Sequence, residues 1–439
     1  MRCNAFMIDD PATFLKMLLE TAIGAVNPSH CVPPHLPPPP AGRTIVIGAG
    51  KAAAAMARAV EDNYASEISG AIVVPYNHGV PCKKFRVIEA AHPVPDAAAE
   101  DAARAMLGAV DNLSEEDLVI ALMSGGGSAL LAQPVPGLPL AGKQAVTRAL
   151  LASGAAIAEI NAVRRALSAI KGGRLAEAAH PAKIVTLVIS DVPGDDPSTV
   201  ASGPTTLPPE NTPSAAEVIL KYEIDVPVSV RAALENPLPS PAPQNFSGDQ
   251  VTIIARAADA LHAAADAART AGCTAMILGD AIEGEALTVA ADHARHALDA
   301  ARFRKPGSPP VVLLSGGETT VTLGGGTKGG GTSGKGGRNL EYLLALGLAL
   351  NRDPRIWAIA ADTDGIDGNS DAAGALLTPW SIAGASDHGL DPTGMLAAHR
   401  SADVFAFLDH LIVTGPTLTN VNDFRAILIG AGEPAKLDL

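Results

Sequence analysis

Aromatic residues are scarce. Phe, Trp and Tyr make up 3% of the chain, although 47% of its residues are hydrophobic. The core must therefore be packed mainly by alanine, valine and leucine, as in layered α/β proteins. Positive charge is also in deficit: 32 Lys and Arg against 46 Asp and Glu give a net charge of −14. That argues against non-specific binding to nucleic acid or a membrane surface. It leaves an anionic small substrate open, because a local basic pocket can sit inside an acidic protein. Cysteine is sparse. Cys3, Cys31, Cys82 and Cys273 show no CxxC or Cys/His metal spacing, so reduced thiols in a cytoplasmic protein are expected. Long apolar runs are missing too. Residues 342–350 form the most apolar late stretch and are far too short to cross a bilayer. The first helical segment, 11–26, carries Lys16 and Glu20 in its apolar stripe and is amphipathic, not a signal peptide. HExxH is absent, and Ser128 lacks a GxSxG elbow, which removes zinc protease and serine hydrolase readings.

What is present is glycine and proline, 43 and 35 residues, in a 439-residue chain. This length suggests about two domains. The central stretch is Thr44-Ile45-Val46-Ile47-Gly48-Ala49-Gly50-Lys51, followed by an alanine-rich helix former run. A strand, a glycine turn and a helix start in that order favour an anion above the sheet. Lys51 in the first helical turn would oppose the helix dipole, and a phosphate or carboxylate there would remove the conflict. The alternative is a packing turn with a solvated lysine. A P-loop is excluded because Ala52 follows Lys51, and the dinucleotide fingerprint is matched only as Gly48-x-Gly50-x-x-Ala53. The next strand ends in Pro75-Tyr76-Asn77, so no carboxylate is offered to a ribose.

Strands are expected at 44–47, 71–74, 85–89, 118–122 and 184–189, alternating with helices. This predicts a Rossmann-like, doubly wound, mostly parallel sheet. Proline-rich texture between 204 and 250 marks a boundary, giving domains of 1–245 and 246–439. The second, smaller α/β domain has strand candidates at 251–255, 274–278, 311–314, 357–360 and 411–413. Residues 324–337 hold nine glycines in fourteen residues and read as a linker or a ligand lid.

Glycine-rich strand ends recur. Ser124-Gly125-Gly126-Gly127-Ser128 and Ser315-Gly316-Gly317-Glu318-Thr319 suggest phosphate cradles beside Gly48 and Gly50, although such turns also serve close packing. Acidic strand ends recur as well. Asp191 and Asp195 follow one strand, and Asp362, Asp364 and Asp367 another. Carboxylates there suit Mg²⁺ held with phosphate oxygens, but Asp also caps helices and makes Asx turns. Lys171, between Ile170 and Gly172-Gly173, is either a helix-end cation or an anion ligand. Arg338, in Gly337-Arg338-Asn339, repeats the argument made for Lys51. Phosphate loops, carboxylates and cations without an evident nucleophile–base pair are the inventory of phosphoryl transfer.

The ordered blocks GAGKAA, HPVPD, SGGGSALL, IKGGRLA, SDVPGDD, ASGPT, SGGET, GGRN, DTDGIDG and GPTLTNVND span nearly the whole chain. Together they resemble class II glycerate 2-kinases, two-domain proteins ending in a MOFRL domain. The resemblance implies ATP-dependent phosphorylation of D-glycerate at its 2-hydroxyl, with Mg²⁺, in a cleft between the two domains. The family's essential lysine and arginine fall on Lys51 and Arg338. Asp191 joins them as a catalytic candidate, and either Asp191 or Asp195 could take the hydroxyl proton. Metal ligands are expected from Asp191, Asp195 and Asp364. Substrate or nucleotide contacts are expected from the glycine loops, Lys171, Asn339, Thr417 and Asn420. The partners implied are D-glycerate and ATP, with no nucleic acid or membrane, and room is left for a homodimer. Members also carry a hydroxypyruvate reductase label, so an NAD(P)H-linked reductase is one alternative and a non-catalytic sensor another. Two positions depart from the pattern: Leu340 where Gln is usual and Leu418 where Gly is usual.

Overall fold

The computed structural model describes residues 8–305, 307–322 and 334–430. It divides into two units, each with its own sheet. The first unit comprises Asn27–Arg256 with Leu418–Asn420. Its strands are β1 (Thr44–Ala49), β2 (Ile68–Pro75), β3 (Phe85–Ala90), β4 (Leu118–Met123), β5 (Lys183–Ile189) and β6 (Gln250–Ala255). They pair in the order β3-β2-β1-β4-β5-β6, all parallel. β1 and β4 are buried throughout, as expected for strands covered on both faces. Between β4 and β6 the chain adds helices Leu140–Ala152, Ile157–Ala166, Ala215–Lys221 and Val228–Glu235, with a separate apolar cluster that includes Leu150, Ile160, Val163, Val218 and Val230.

The second unit takes the described chain before Asn27, Ala257–Thr417 and the part from Val421 on. Its strands are β7 (Thr274–Gly279), β8 (Gly284–Glu285), β9 (Val311–Gly317), β10 (Thr319–Thr320), β11 (Ile356–Asp362), β12 (Gly374–Leu377), β13 (Leu411–Ile412) and β14 (Asp423–Ile429). The main sheet runs β13-β12-β11-β14-β9-β7, and β8 and β10 form a small ribbon. Only β7 and β9 pair in parallel in this main sheet.

A cut at 245/246 differs from this division in three places, one of them the return of Leu418–Asn420 to the first unit. β6 is hydrogen-bonded to β5, so the first unit extends to Arg256. Helix Pro11–Ala25 buries Phe14, Leu15, Leu18, Leu19 and Ala22 and packs on helix Ala257–Thr270 in the second unit. No helix among the described residues is long and apolar enough to cross a membrane. Of the glycine tract, 324–333 lies outside the described residues.

Candidate active site

Strand order reverses between β1 and β4, the place where ligands bind in open parallel sheets. Register then decides which turns become neighbours. Ala49 lies opposite Met123, and Met123 opposite Val188. The turns 50–51, 124–128 and 190–191 therefore leave one sheet edge side by side.

The first two turns are laced together. Gly50, Lys51, Ala52 and Ala53 donate their N–H groups to Val73 O, Gly125 O, Ser124 Oγ and Gly50 O, at 3.1, 2.8, 3.1 and 3.2 Å. A Cβ on Gly50 would lie 2.2 Å from Ser124 Oγ, which requires glycine. The turn expected to offer its amides to an anion thus spends them internally. Lys51 also precedes the N-cap, Ala52, and is not in the first turn of helix Ala53–Asn63. Its side chain lies beside Gly126, whose Cβ position is 3.5 Å from Lys51 Cγ and 3.3 Å from the His92 ring.

Loop 124–128 differs from that turn in its amides. Gly126 adopts φ +80°. Among the described residues no protein acceptor is placed on the N–H groups of Gly125 and Gly126, which leaves them to a ligand or water. Asp191 closes over this loop: a Cβ on Gly125 would meet its Oδ2 at 1.7 Å, and Asn420 Nδ2 donates to that oxygen at 3.0 Å. Gly48, by contrast, sits inside β1 and serves packing. Ser128 Oγ is 2.7 Å from Ser202 Oγ. Lys171 is fully buried and donates to Leu131 O.

In the second unit, antiparallel register sets Asp362 opposite Asp423 and Asp423 opposite Gly317. Arg338, at the start of helix Arg338–Ala349, reaches all three strand ends. Its Nε donates to Asp423 at 2.8 Å, Nη1 to Glu318 at 2.6 Å and Nη2 to Asp362 at 2.7 Å. Burial works against this charge, and the carboxylates of Asp423, Asp362 and Glu318 outweigh it, holding the guanidinium above its ordinary value. The anion at this helix start is Asp367, which accepts from Asn339 N at 3.0 Å and Leu340 N at 2.9 Å. Burial, opposed by those two N–H bonds, pushes Asp367 up to about 6.

Ser315, Gly316 and Gly317 are ladder residues of β9 and not a phosphate turn. A Cβ on Gly317 would come within 2.2 Å of Ile282 N, so this glycine allows a close backbone approach. Glu318 and Thr319 follow, and Thr319 N donates to Asp423 at 3.3 Å. Asn339 Nδ2 donates to Asp423 at 2.7 Å, and Thr417 N donates to Asp364 O at 3.0 Å. Leu340 is buried in the core cluster, and Leu418 holds φ +64°, the backbone that a glycine would take, at a cost of about 1–2 kcal/mol. A cavity of about 490 Å³ opens beside Arg338, walled by Glu318, Thr320, Glu341, Asn369 and His399.

The expected metal ligands do not assemble as one set. Among the described residues no group of three His, Cys, Asp or Glu is placed to hold a metal. Asp195 lies 3.7 Å from Arg256, and Asp364 Oδ1 accepts from Ile366 N at 2.9 Å as an Asx turn. Asp191 fits better. A nucleotide-bound Mg²⁺ needs only one or two protein carboxylates, and Asp191 lies against the glycine loop.

Asp423 was hidden at the end of the GPTLTNVND block, yet it anchors both arginines. Its side chain is fully buried and also pairs with the fully buried Arg425. Asp423→Ala should cost about 3–5 kcal/mol, because it leaves a buried guanidinium without its counter-charge. A fall of about 10 °C in melting temperature is expected by calorimetry. A change within about 2 °C would refute this account of the cluster.

Fold and site together define a two-unit α/β protein with a Rossmann-order sheet and a glycine loop at the point where its strand order reverses. Residues 14–235 match a domain of unknown function, DUF4147, and residues 311–423 match the MOFRL family. A protein of Agrobacterium vitis that bears a provisional hydroxypyruvate reductase name is 50% identical over 417 residues, covering 95% of this chain and 94% of that one. The D-glycerate 2-kinase of Thermotoga maritima is 36% identical over 426 residues, covering 96% and 99%. A crystal structure of glycerate kinase from Thermotoga maritima superposes with a TM-score of 0.84 at 35% identity, over 95% of this chain and 99% of that one. The chain belongs to the MOFRL-domain glycerate kinase family.

Proposed function

We propose that the chain transfers a phosphoryl group from ATP to the 2-hydroxyl of D-glycerate. The observation that carries this reading is the side-by-side exit of Lys51, loop 124–128 and Asp191 from the switch point of the parallel sheet. The relatives named as glycerate kinases support it over nearly their full length. In this reading the amides of Gly125 and Gly126 receive phosphate oxygens, and the Lys51 ammonium meets charge developing on the transferred group. Asp191 is assigned to the hydroxyl proton or the metal. Bound with the nucleotide, Mg²⁺ would neutralise phosphate charge. Arg338 has five N–H protons, of which three are spent on carboxylates. The other two are assigned to a phosphate or carboxylate oxygen.

A reductase fits less well. β2 ends in Pro75, followed by Tyr76 and Asn77, so the strand end itself carries no acidic residue for a ribose. A coupled ADP assay with D-glycerate, run beside NADH oxidation with hydroxypyruvate, separates the two. ADP formation and a 2-phosphorylated product by phosphorus NMR are expected. NADH oxidation without ADP would overturn the proposal.

Gly125→Ala tests the loop. The added methyl must displace the Asp191 carboxylate, and misplacing a reacting group by about 1 Å can cost on the order of 10²-fold in rate. Steady-state kinetics on the folded variant should show that loss. Native turnover would remove Asp191 from the assigned role.

A further inference from the structure

Helix Ile157–Ala166 has two faces. Ile160, Val163 and the following Leu167 enter the apolar cluster of the inserted helices. Asn161, Arg164, Arg165 and the following Ser168 recur at three- and four-residue spacing, which aligns them on another side. Asn161 and Ser168 are buried, and Arg165 is 7% exposed. Two lysines close on the same place. Lys143 Nζ donates to Leu167 O at 3.3 Å, and Lys171 N donates to Ser168 Oγ at 3.4 Å. Lys143 and Lys171 are themselves 4% and 0% exposed.

Buried cations are ordinarily paired, and these are not. Among the described residues none of Lys143, Arg164, Arg165 and Lys171 makes an ion pair. The opposite charge that acts on Arg165 is Asp196, too far to pair with it, and Asp196 Oδ1 accepts from Ser198 N at 2.8 Å. Arg165 Nε and Nη1 are buried without any hydrogen-bond partner. Each lysine ammonium has three protons, and one carbonyl accepts from each. Burial, reinforced by Arg164, pushes Lys143 down to about 7. Burial, with Lys143 and Arg164 adding to it, pushes Lys171 well below its ordinary value. Such a group of donors is costly when empty and strongly favourable around an oxyanion.

The cluster is wired to the glycine loop. Ser202 Oγ donates to Asn161 Oδ1 at 2.9 Å, so its one proton is spent and Ser128 must be the donor in the 2.7 Å contact with Ser202. Gly172 N donates to Ser202 O at 3.2 Å. Ala201 and Ser202 both hold positive φ, +52° and +62°, strain of a kind that persists where surrounding structure enforces it, often at ligand sites.

We propose that Lys143, Asn161, Arg164, Arg165 and Lys171 form an oxyanion site that takes the carboxylate of the acid substrate. The identity of the acid rests on the kinase reading; the existence of the site does not. The test is isothermal titration of the full chain, without nucleotide, against D-glycerate, glycerol and inorganic phosphate. Glycerate and phosphate should bind in competition, and glycerol, lacking the carboxylate, should not bind. Arg165→Gln and Lys143→Met should each weaken glycerate binding by about tenfold or more, the weight of one hydrogen bond to a charged group. In the ADP assay KM should rise by the same factor, with kcat changing less than about threefold. Lys143→Met keeps the side-chain volume and removes a buried charge, so it should stay folded, which melting and near-UV circular dichroism check. If the native chain makes ADP and both folded variants keep native affinity and KM, the site is overturned and the kinase reading stands. If the native chain makes no ADP but binds both anions, and Arg165→Gln abolishes that binding, the site stands and the kinase reading falls. Phosphate binding with which glycerate fails to compete overturns the carboxylate assignment.

Discussion

Lys51→Met should fold normally and turn over D-glycerate slower by on the order of 10²–10³-fold, the usual loss when one donor to a developing charge is removed. The backbone at this position is held by its neighbours: Lys51 N donates to Gly125 O at 2.8 Å, and the flanking amides bond within the turn. None of those bonds uses the side chain. Lys51 stands just before the N-cap of helix Ala53–Asn63, where the macrodipole disfavours a cation by about 0.3–1 kcal/mol. Melting temperature should stay within a few degrees while kcat collapses. Thermal melts and steady-state kinetics on the same preparation check both halves. A variant with near-native kcat would mean that the strand, turn and lysine serve packing alone.

Metal removal should have the larger effect. Excess EDTA should abolish ADP formation, and added Mg²⁺ should restore it, because unscreened phosphate oxygens repel an attacking hydroxyl. The second unit by itself does not supply that screening. In the second unit Arg338 and Arg425 face Glu318, Asp362, Asp367 and Asp423, two cations against four carboxylates. Such a cluster should favour a nucleotide that carries a divalent cation over a bare polyphosphate. ADP release that continued in EDTA would overturn the metal assignment, and nucleotide binding measured with and without Mg²⁺ gives an independent readout.

The first sheet was largely legible in the chain. β1, β4 and β5 are short, apolar runs that end in glycine or acidic turns, and both features are local. The second sheet was less so. β12 and β14 went unrecognised, the latter because its start lies inside a motif block and its apolar run contains Arg425. That arginine is held by Asp423, which pairs with it, and by Tyr342, 5.1 Å beneath it, partners 2 and 83 residues distant that no window of sequence displays together.

By itself, then, the sequence determined the α/β class, the parallel first sheet and the glycine loop at 124–128, because hydrophobic period and turn chemistry act over a few residues. It also singled out Lys51 and Arg338 as cations in need of a partner. Tertiary structure alone decided who the partners are. Pairing of β14 with β11 and β9 brought three carboxylates to Arg338, and Asp367 took the helix start reserved in expectation for a ligand. Ser315–Gly317 became ladder because Asp423–Arg425 lies across from it, and Lys171 became a buried member of a cationic cluster. Charge acts through space, so the burial and counter-ions of each group follow from strand register and packing rather than from neighbours in the chain.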